Sequence, residues 1–177
     1  LRERDARAAR LLEFAILTAA RSGEARGATW DEIDFTQGIW IVPAERMKAG
    51  VEHRVPLSRR ALALLAEAGP PVAGKPIFPA PRGSRFSDMA FLMLLRRMGR
   101  GDLTAHGFRS SFRDWAGDAT NFPREVIEAA LAHSVGNKVE AAYRRGDALE
   151  KRRALMEAWA TYCEPKAQNV VSLTRKA

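Results

Sequence analysis

Two short β-branched and aromatic segments constrain the fold of this chain more than any other feature, because helical patterns surround them. "IWIVP" (39–43) has the residue types of a strand, and "RVPL" (54–57) resumes an extended pattern after the turn signal Ala49-Gly50. The two segments predict a β-hairpin with Lys48 near its tip. Ile77-Phe78 is the candidate for a third strand, so we expect a small antiparallel sheet.

Most of the remaining chain has the spacing of apolar residues that is typical of helices. The predicted helices cover residues 4–20, 59–68, 88–98, 105–118, 123–132, 137–144 and 147–161. Ser58 and Pro123 suit helix starts, as does Ser87 or Asp88 before the third helix. In the last helix, Leu149, Leu155, Met156 and Trp159 are expected to face inward. The predicted fold class is α+β and mainly α, a helical domain with a small antiparallel three-stranded sheet.

The length and composition favour one globular domain. A chain of 177 residues with 46% hydrophobic residues can bury a proper core. We expect this domain to cover residues 1–162 and a polar tail to cover residues 163–177. The chain starts with Leu1, inside a helical pattern, which suggests a fragment of a longer protein.

The charge balance favours a polyanionic partner. Lys and Arg total 29 against 21 acidic residues, a formal charge of +8, so nucleic acid is the first candidate, although a solvated basic surface has the same composition. Cys163 is the single cysteine, which excludes an intrachain disulfide. No apolar run reaches the roughly 18 residues needed to span a bilayer. The expected location is the cytoplasm, without a membrane partner.

The segment "AHGFRSSFRDWA" combines cations and aromatic residues on one predicted helix. Helical spacing puts His106, Arg109 and Arg113 on one face and the aromatic residues at 108, 112 and 115 on the opposite one. The pattern fits an amphipathic helix whose basic face points to solvent. It also suits a phosphate, since Arg offers a planar fork of donors and His can relay a proton.

Four further residues have both a structural and a chemical interpretation. Arg21 lies near a helix end, where Glu24 could orient its guanidinium or simply form an i, i+3 ion pair. Lys48 is either a solvated turn residue or a donor that protonates a leaving oxygen. His133 and Tyr143 each fit a packing role as well as a reactive one. No residue cluster has convincing metal-ligand spacing and no Gly-rich phosphate loop is present, so phosphate chemistry here is predicted to be metal-free.

In combination, these motifs resemble the catalytic domain of the tyrosine recombinases, the phage integrase family. The motifs are "TAARSGE", "RMKAG", "HGFRSSF" and "LAHSVGNKVEAAY", in that order. "AERMK", "HRVPLS" and "AAYRRGDALEKRRALMEAWATYC" look like the integrases of satellite phages and genomic islands. The resemblance extends from about residue 8 to about residue 161.

The resemblance implies a role for each matching residue. Tyr143 would attack a DNA phosphodiester to give a 3′-phosphotyrosine, and Arg21 and Arg109 would hold the non-bridging oxygens. Lys48 would protonate the leaving 5′ oxygen and His106 would act in general acid/base transfer. His133 would contact the phosphate or the tyrosine, and Glu24 would be a supporting residue. No nucleotide or metal cofactor is expected.

The resemblance also implies partners. They are double-stranded DNA attachment sites, other recombinase protomers, and an excision factor or a host DNA-bending protein. The protomers would form a tetramer on DNA, and the protein would be a monomer in isolation. Arg113, Arg144, Arg145 and Lys75 are candidate contacts to the DNA backbone, and solvated surface is the alternative. Two other functions stay open: a DNA-binding regulator of the same fold without catalysis, and an activity like that of type IB topoisomerases.

The sequence departs from the family pattern in places. Ala19 and Ala132 occupy positions where the family commonly has Gly, and ten positions separate His133 from Tyr143, one more than in many relatives. The usual upstream core-binding and arm-binding domains are not in this chain. Their absence would weaken DNA binding by the chain alone.

Overall fold

The computed structural model describes residues 1–2, 6–133 and 148–165. Within these ranges the elements are α1 Arg7–Leu17, α2 Ser22–Arg26, β1 Ile33–Asp34, β2 Ile39–Val42, β3 His53–Pro56, α3 Arg59–Ala68, α4 Ala90–Arg97, α5 Ala105–Asp118, α6 Arg124–Ala130 and α7 Leu149–Tyr162. The predicted mainly helical fold with a small sheet is confirmed. The predicted helix at 137–144 lies outside the described residues. None of the helices in the described ranges is long and apolar enough to cross a membrane.

The three strands form one antiparallel sheet in the order β1-β2-β3. Trp40 in β2 pairs with Ile33 on one side and Val55 on the other, so the predicted hairpin is confirmed. The prediction of a third strand at Ile77-Phe78 is wrong, because β1 takes that place. Both residues are buried, and the Phe78 ring lies 5.6 Å from that of Phe14 in α1. Their apolar character therefore reflects packing on α1 and not pairing within the sheet.

Helix α1 lies at the centre of the domain, in contact with α3, α4, α5 and α7. Leu11, Leu12 and Phe14 are almost completely buried, and the Phe14 ring lies 5.1 Å from that of Trp40 in β2. Burying each such side chain stabilises the fold by about 1.5–3 kcal/mol. Because the core holds α1 from several sides, the turn that follows it is also fixed in place.

A second apolar cluster joins α5, α6 and α7. Phe112, Leu131, Leu155 and Trp159 are buried in it, and the indole N–H of Trp159 donates to a carbonyl of α1 at 2.8 Å. Among the residues predicted to face inward from α7, Leu155, Met156 and Trp159 are buried, whereas Leu149 is half-buried. This cluster attaches α5 and α6 to the end of α1.

The predicted helix starts are confirmed only in part. Ser58 accepts the backbone N–H of Ala61 at 3.3 Å, as expected of a cap, and Pro123 precedes α6. The predicted cap at Ser87 or Asp88 is wrong, because α4 begins at Ala90 and the Asp88 carboxylate binds the guanidinium of Arg26. The five-residue helix α2 was not predicted.

Candidate active site

Helices α1 and α6 end in the same backbone motif. Ala19 and Ala132 are the first residues beyond the two helix caps, and both have a left-handed backbone with φ 48°. The next residue in each case donates its N–H to the carbonyl five positions back, at 3.1 Å for Ala20 and 3.0 Å for His133. These bonds are those of a Schellman cap, which fixes the direction in which the chain leaves a helix. The motif places Arg21 after α1 and His133 after α6.

The guanidinium of Arg109 lies between these two helix ends. It donates to the carbonyl oxygens of Ala19 and Leu131, and only 6% of Arg109 is exposed. Carbonyls at helix C-termini have no partner within their helix and carry partial negative charge, so they suit a cation. Burial and the nearby charge of Arg21 lower the pKa of Arg109 to about 10. The residue is still protonated at neutral pH, and it joins α1, α5 and α6.

The expectation that the cations of α5 form one solvent-facing basic side is wrong for Arg109, which is buried. His106 and Arg113 are exposed and Phe112 is fully buried, as the helical spacing predicts, but Arg109 points into the protein. The physical reason is that the two helix ends present carbonyls to α5. A pattern of cations and aromatic residues along one helix cannot reveal acceptors that come from other helices.

Arg21 and Glu24 form a compact turn at the start of α2. The Arg21 backbone N–H donates to one carboxylate oxygen of Glu24 at 2.9 Å, and the guanidinium donates to the other at 2.8 Å. Glu24 is buried, whereas 30% of the Arg21 side chain is exposed. The i, i+3 ion pair is therefore present. It also orients the guanidinium, which has further N–H groups for a ligand.

His133 is held by two partners. Its Nδ1 lies 2.6 Å from Oε2 of Glu128, and its Nε2 lies 3.1 Å from the guanidinium of Arg109. The other oxygen of Glu128 accepts from Arg113 at 2.9 Å and 2.8 Å. Burial would raise the pKa of Glu128, but the hydrogen bonds from His133 and Arg113 outweigh this effect and lower it. Glu128 is therefore an ionised, buried link between α5 and His133.

An open cleft of about 500 Å³ lies beside this network. Its lining residues are Arg21, Lys48, Ala49, Glu128, Ala132 and His133. Lys48 is exposed in the turn between β2 and β3, close to the predicted hairpin tip. A lysine, an arginine and a histidine thus meet at one cleft, and buried Arg109 contacts the histidine. Such donors suit a tetrahedral anion such as a phosphate.

The structure does not place every candidate residue at this cleft. His106 lies in the first turn of α5, three positions before Arg109, but it is not among the lining residues. Lys75 is exposed in the connection between α3 and α4. Tyr143, Arg144 and Arg145 lie outside the described residues.

Arg46 is a supporting residue that the sequence did not reveal. Its guanidinium binds the Glu24 carbonyl and the carboxylate of Glu32. Gly27 leaves room for this contact, because a Cβ there would lie 2.8 Å from an Arg46 nitrogen. Arg46 therefore ties the segment before Lys48 to the turn that holds Arg21. Arg46 belongs to the motif "RMKAG", but its partners Glu32 and Glu24 are 14 and 22 positions away in the sequence. The spacing within the motif could not predict these contacts.

Two more polar residues that the sequence did not reveal are half-buried His53 and buried Arg152. His53 is in β3, where burial and the positive charge of Arg152 lower its pKa to about 4. Arg152 in α7 is 2% exposed and donates to the Arg54 carbonyl at 2.6 Å. His53 also senses the charges of Glu24 and Arg109. It is therefore neutral at pH 7, and a single histidine in a strand pattern gave no signal of this.

Two solved structures with the same architecture are an integrase and a recombinase. The integrase from mycobacterium phage Brujita superposes with a TM-score of 0.65 at 21% identity, covering 85% of this chain and 50% of that one. XerA recombinase superposes with a TM-score of 0.55 at 18% identity, covering 90% of this chain and 64% of that one. The fold is that of the tyrosine recombinases.

The sequence defines the family within this fold. The model of the phage integrase family matches residues 2–150, and the chain belongs to that family. It is 41% identical to prophage integrase IntA of Escherichia coli (strain K12), over 93% of this chain and 40% of that protein. It is 34% identical to the integrase of Enterobacteria phage P4, over 92% of this chain and 41% of that protein. The chain thus spans about two fifths of the length of these curated relatives.

Proposed function

We propose that this chain carries out site-specific DNA recombination, the integration or excision of a mobile element, with Tyr143 as its nucleophile. The observation that supports this proposal best is the meeting of Arg21, Lys48 and His133 at one cleft, with buried Arg109 bonded to the histidine. Membership of the phage integrase family adds independent support.

In the proposed reaction, the hydroxyl oxygen of Tyr143 attacks a DNA phosphorus and the bond from phosphorus to the 5′ oxygen breaks. His106 accepts the tyrosine proton, and Lys48 donates a proton to the leaving 5′ oxygen. The products are a 3′-phosphotyrosine and a free 5′-hydroxyl. Attack by a 5′-hydroxyl on the phosphotyrosine reverses the step and rejoins a strand. The covalent intermediate keeps the energy of the phosphodiester, so rejoining needs no ATP.

The two arginines stabilise the extra negative charge of the pentacoordinate phosphorus. The contacts of Arg109 with Ala19, Leu131 and His133 use three of its five N–H groups, which leaves two that can bind phosphate oxygens. Because its guanidinium is already fixed, binding needs little reorganisation, which is the condition for effective electrostatic catalysis. Cations with fixed geometry supply the charge stabilisation in this mechanism, so we propose that no metal cofactor takes part.

The proposed partners are double-stranded attachment sites and other protomers of the same recombinase, in a tetramer on DNA and a monomer in isolation. An excision factor or a host DNA-bending protein would assist. Lys75, Arg144 and Arg145 are proposed contacts to the DNA backbone. Arg113 is a further proposed contact, but two of its nitrogens already bind Glu128, so it would bind DNA through its remaining N–H groups.

A nicked duplex that contains the junction of the mobile element with its host chromosome tests the proposal. The nick lets the cleaved fragment escape, so the phosphotyrosine accumulates as a denaturant-resistant adduct between protein and DNA. The adduct should form with the natural sequence and be absent with Tyr143→Phe. Tyr162→Phe is the matched control, because this second tyrosine is exposed and stacks on Trp115 of α5 and Trp159 of α7.

Three outcomes would contradict the proposal. Binding of the duplex without any adduct would favour a regulator that has lost catalysis. Relaxation of a supercoiled plasmid without an attachment site, by a Tyr143-dependent adduct, would favour the type IB topoisomerase activity. An adduct that persists in Tyr143→Phe would assign the nucleophile to another residue.

A further inference from the structure

Glu128 contacts His133 twice. Its backbone carbonyl accepts the His133 N–H at 3.0 Å, as part of the cap of α6, and its carboxylate lies 2.6 Å from Nδ1 of the ring. The first contact fixes the backbone of His133 and the second fixes the rotation of its ring. Arg113 binds the other carboxylate oxygen from α5, so the carboxylate itself cannot turn away without losing a partner.

The contact between His133 and Arg109 defines the proton position on the imidazole. A guanidinium is only a donor, so Nε2, at 3.1 Å from it, must accept. The proton of the neutral ring is then on Nδ1, where the Glu128 carboxylate accepts it. Both ends of the ring therefore require the same tautomer.

We infer that Glu128 is a positioning residue for the recombination reaction, which holds His133 in its Nδ1–H tautomer and directs Nε2 into the phosphate cleft. This inference rests on the proposed function for its catalytic consequence. When DNA enters the cleft, Nε2 can exchange its Arg109 contact for the hydroxyl proton of the attacking tyrosine, because in this tautomer it is an acceptor. A hydrogen bond from Nε2 to a phosphate oxygen would require a second proton on the ring. The partner on the far side of a histidine determines which nitrogen is available and in which direction it points.

The burial of Glu128 supports this role over a simple surface ion pair. Only 8% of its side chain is exposed, against 51% for Arg113 and 38% for His133. An ion pair that served stability alone would need Arg113 only. Here the second carboxylate oxygen of Glu128 instead contacts Nδ1 of His133 at the edge of the cleft.

The tautomer can be measured directly, without DNA. The chain has three histidines, so ¹⁵N-resolved spectra of the imidazoles in alkaline buffer can be assigned by single substitutions. We expect the His133 ring to be protonated on Nδ1 in the natural sequence. Glu128→Gln and Glu128→Met should increase the Nε2–H form, with the larger change in Glu128→Met, which removes both acceptor oxygens. Glu125→Gln is the matched control, an exposed glutamate one turn earlier in α6.

The second measurement is the rate of adduct formation on the nicked junction duplex. Glu128→Gln should slow this step by about tenfold to a hundredfold, by analogy with the loss of the outer hydrogen-bond partner of a metal-bound histidine, whereas Glu125→Gln should leave it unchanged. A natural-sequence ring that already carries its proton on Nε2 would overturn the inference, as would Glu128 variants with unaltered tautomer and rate. Failure of the natural sequence to form any adduct would contradict the proposed function, and the tautomer would still decide whether Glu128 positions His133.

Discussion

Ala19 and Ala132 share one left-handed backbone conformation, and each stands at the end of a helix whose terminal carbonyls hold the guanidinium of Arg109. Glycine is the usual residue at this cap position, because a Cβ is strained there. The structure shows that alanine adopts at both positions a backbone that glycine would adopt without this strain.

Replacing Ala132 with glycine should stabilise the protein. Holding an L-residue in the left-handed conformation costs the folded state about 1–2 kcal/mol, which glycine avoids. Glycine also makes the unfolded chain more flexible, which lowers the free energy of unfolding by about 0.4–1 kcal/mol. We expect Ala132→Gly to raise the free energy of unfolding by about 0.5–1 kcal/mol, measured by urea denaturation. Ala19→Gly should have a net effect near zero, because the Ala19 methyl is buried and its removal costs about 0.8 kcal/mol. Ala66→Gly, at an exposed position in right-handed α3, should instead lower it by about 0.5–1 kcal/mol. Equal effects at all three positions would contradict this account.

Arg109→Lys should destabilise the protein although the charge is kept. An ammonium cannot reach the Ala19 and Leu131 carbonyls and His133 at once, and each buried acceptor left without a donor costs about 1–3 kcal/mol. Urea denaturation should show a loss of about that size. Arg113→Lys, at a half-exposed site, should change the free energy of unfolding by less than about 1 kcal/mol. Similar losses in the two variants would argue against a bridging role for Arg109.

Gly27→Ala should loosen the segment that carries Lys48. The added Cβ would lie 2.8 Å from an Arg46 nitrogen, so the Arg46 guanidinium would have to shift, which weakens its hydrogen bond to the Glu24 carbonyl. We expect a loss of about 1 kcal/mol and faster tryptic cleavage after Lys48, followed by mass spectrometry. Gly23→Ala is the control, because its Cβ would meet its nearest neighbour at an ordinary 3.9 Å. Unchanged cleavage after Lys48 in Gly27→Ala would show that Arg46 does not restrain this turn.

His53 should make the fold sensitive to mild acid. Its folded-state pKa of about 4 lies below the ordinary value of 6.5, so the unfolded chain binds a proton more readily as the pH falls through that window. Between about pH 7.5 and about pH 5 this difference should cost about 2 kcal/mol of stability. Urea denaturation at the two pH values should show a smaller loss, by about that amount, in His53→Gln. An equal loss in the variant would assign the acid sensitivity to other groups.

Helical spacing and strand-forming residues were sufficient to predict the hairpin and most helices, because these patterns are local. They failed at α2, which is only five residues long, and at β1, which has two residues in a polar segment. Ile77-Phe78 was mistaken for a strand, since burial against α1 and burial in a sheet select the same residue types.

The sequence motifs also identified Arg21, Lys48 and His133, which meet at the cleft. What they could not give was the environment of Arg109 or the role of Glu128. Both depend on atoms from different helices. The two carbonyls that bind Arg109 are 22 and 90 positions away from it in the sequence. Glu128 is 15 positions away from Arg113, which holds its carboxylate. The proposed role of Tyr143 was inferred from its motif and stays a prediction.

The two carbonyls that hold Arg109 belong to the main chain, and this has a consequence for mutational scanning. Exchanging the side chain of Ala19 or Leu131 leaves the acceptor oxygen in place, so a survey of substitutions would not register these positions as partners of the arginine. Ester-for-amide replacement, which weakens a single carbonyl acceptor, would register them. Side-chain substitutions at these two positions report on packing and on the left-handed backbone, whereas the ester reports on the hydrogen bond to the guanidinium.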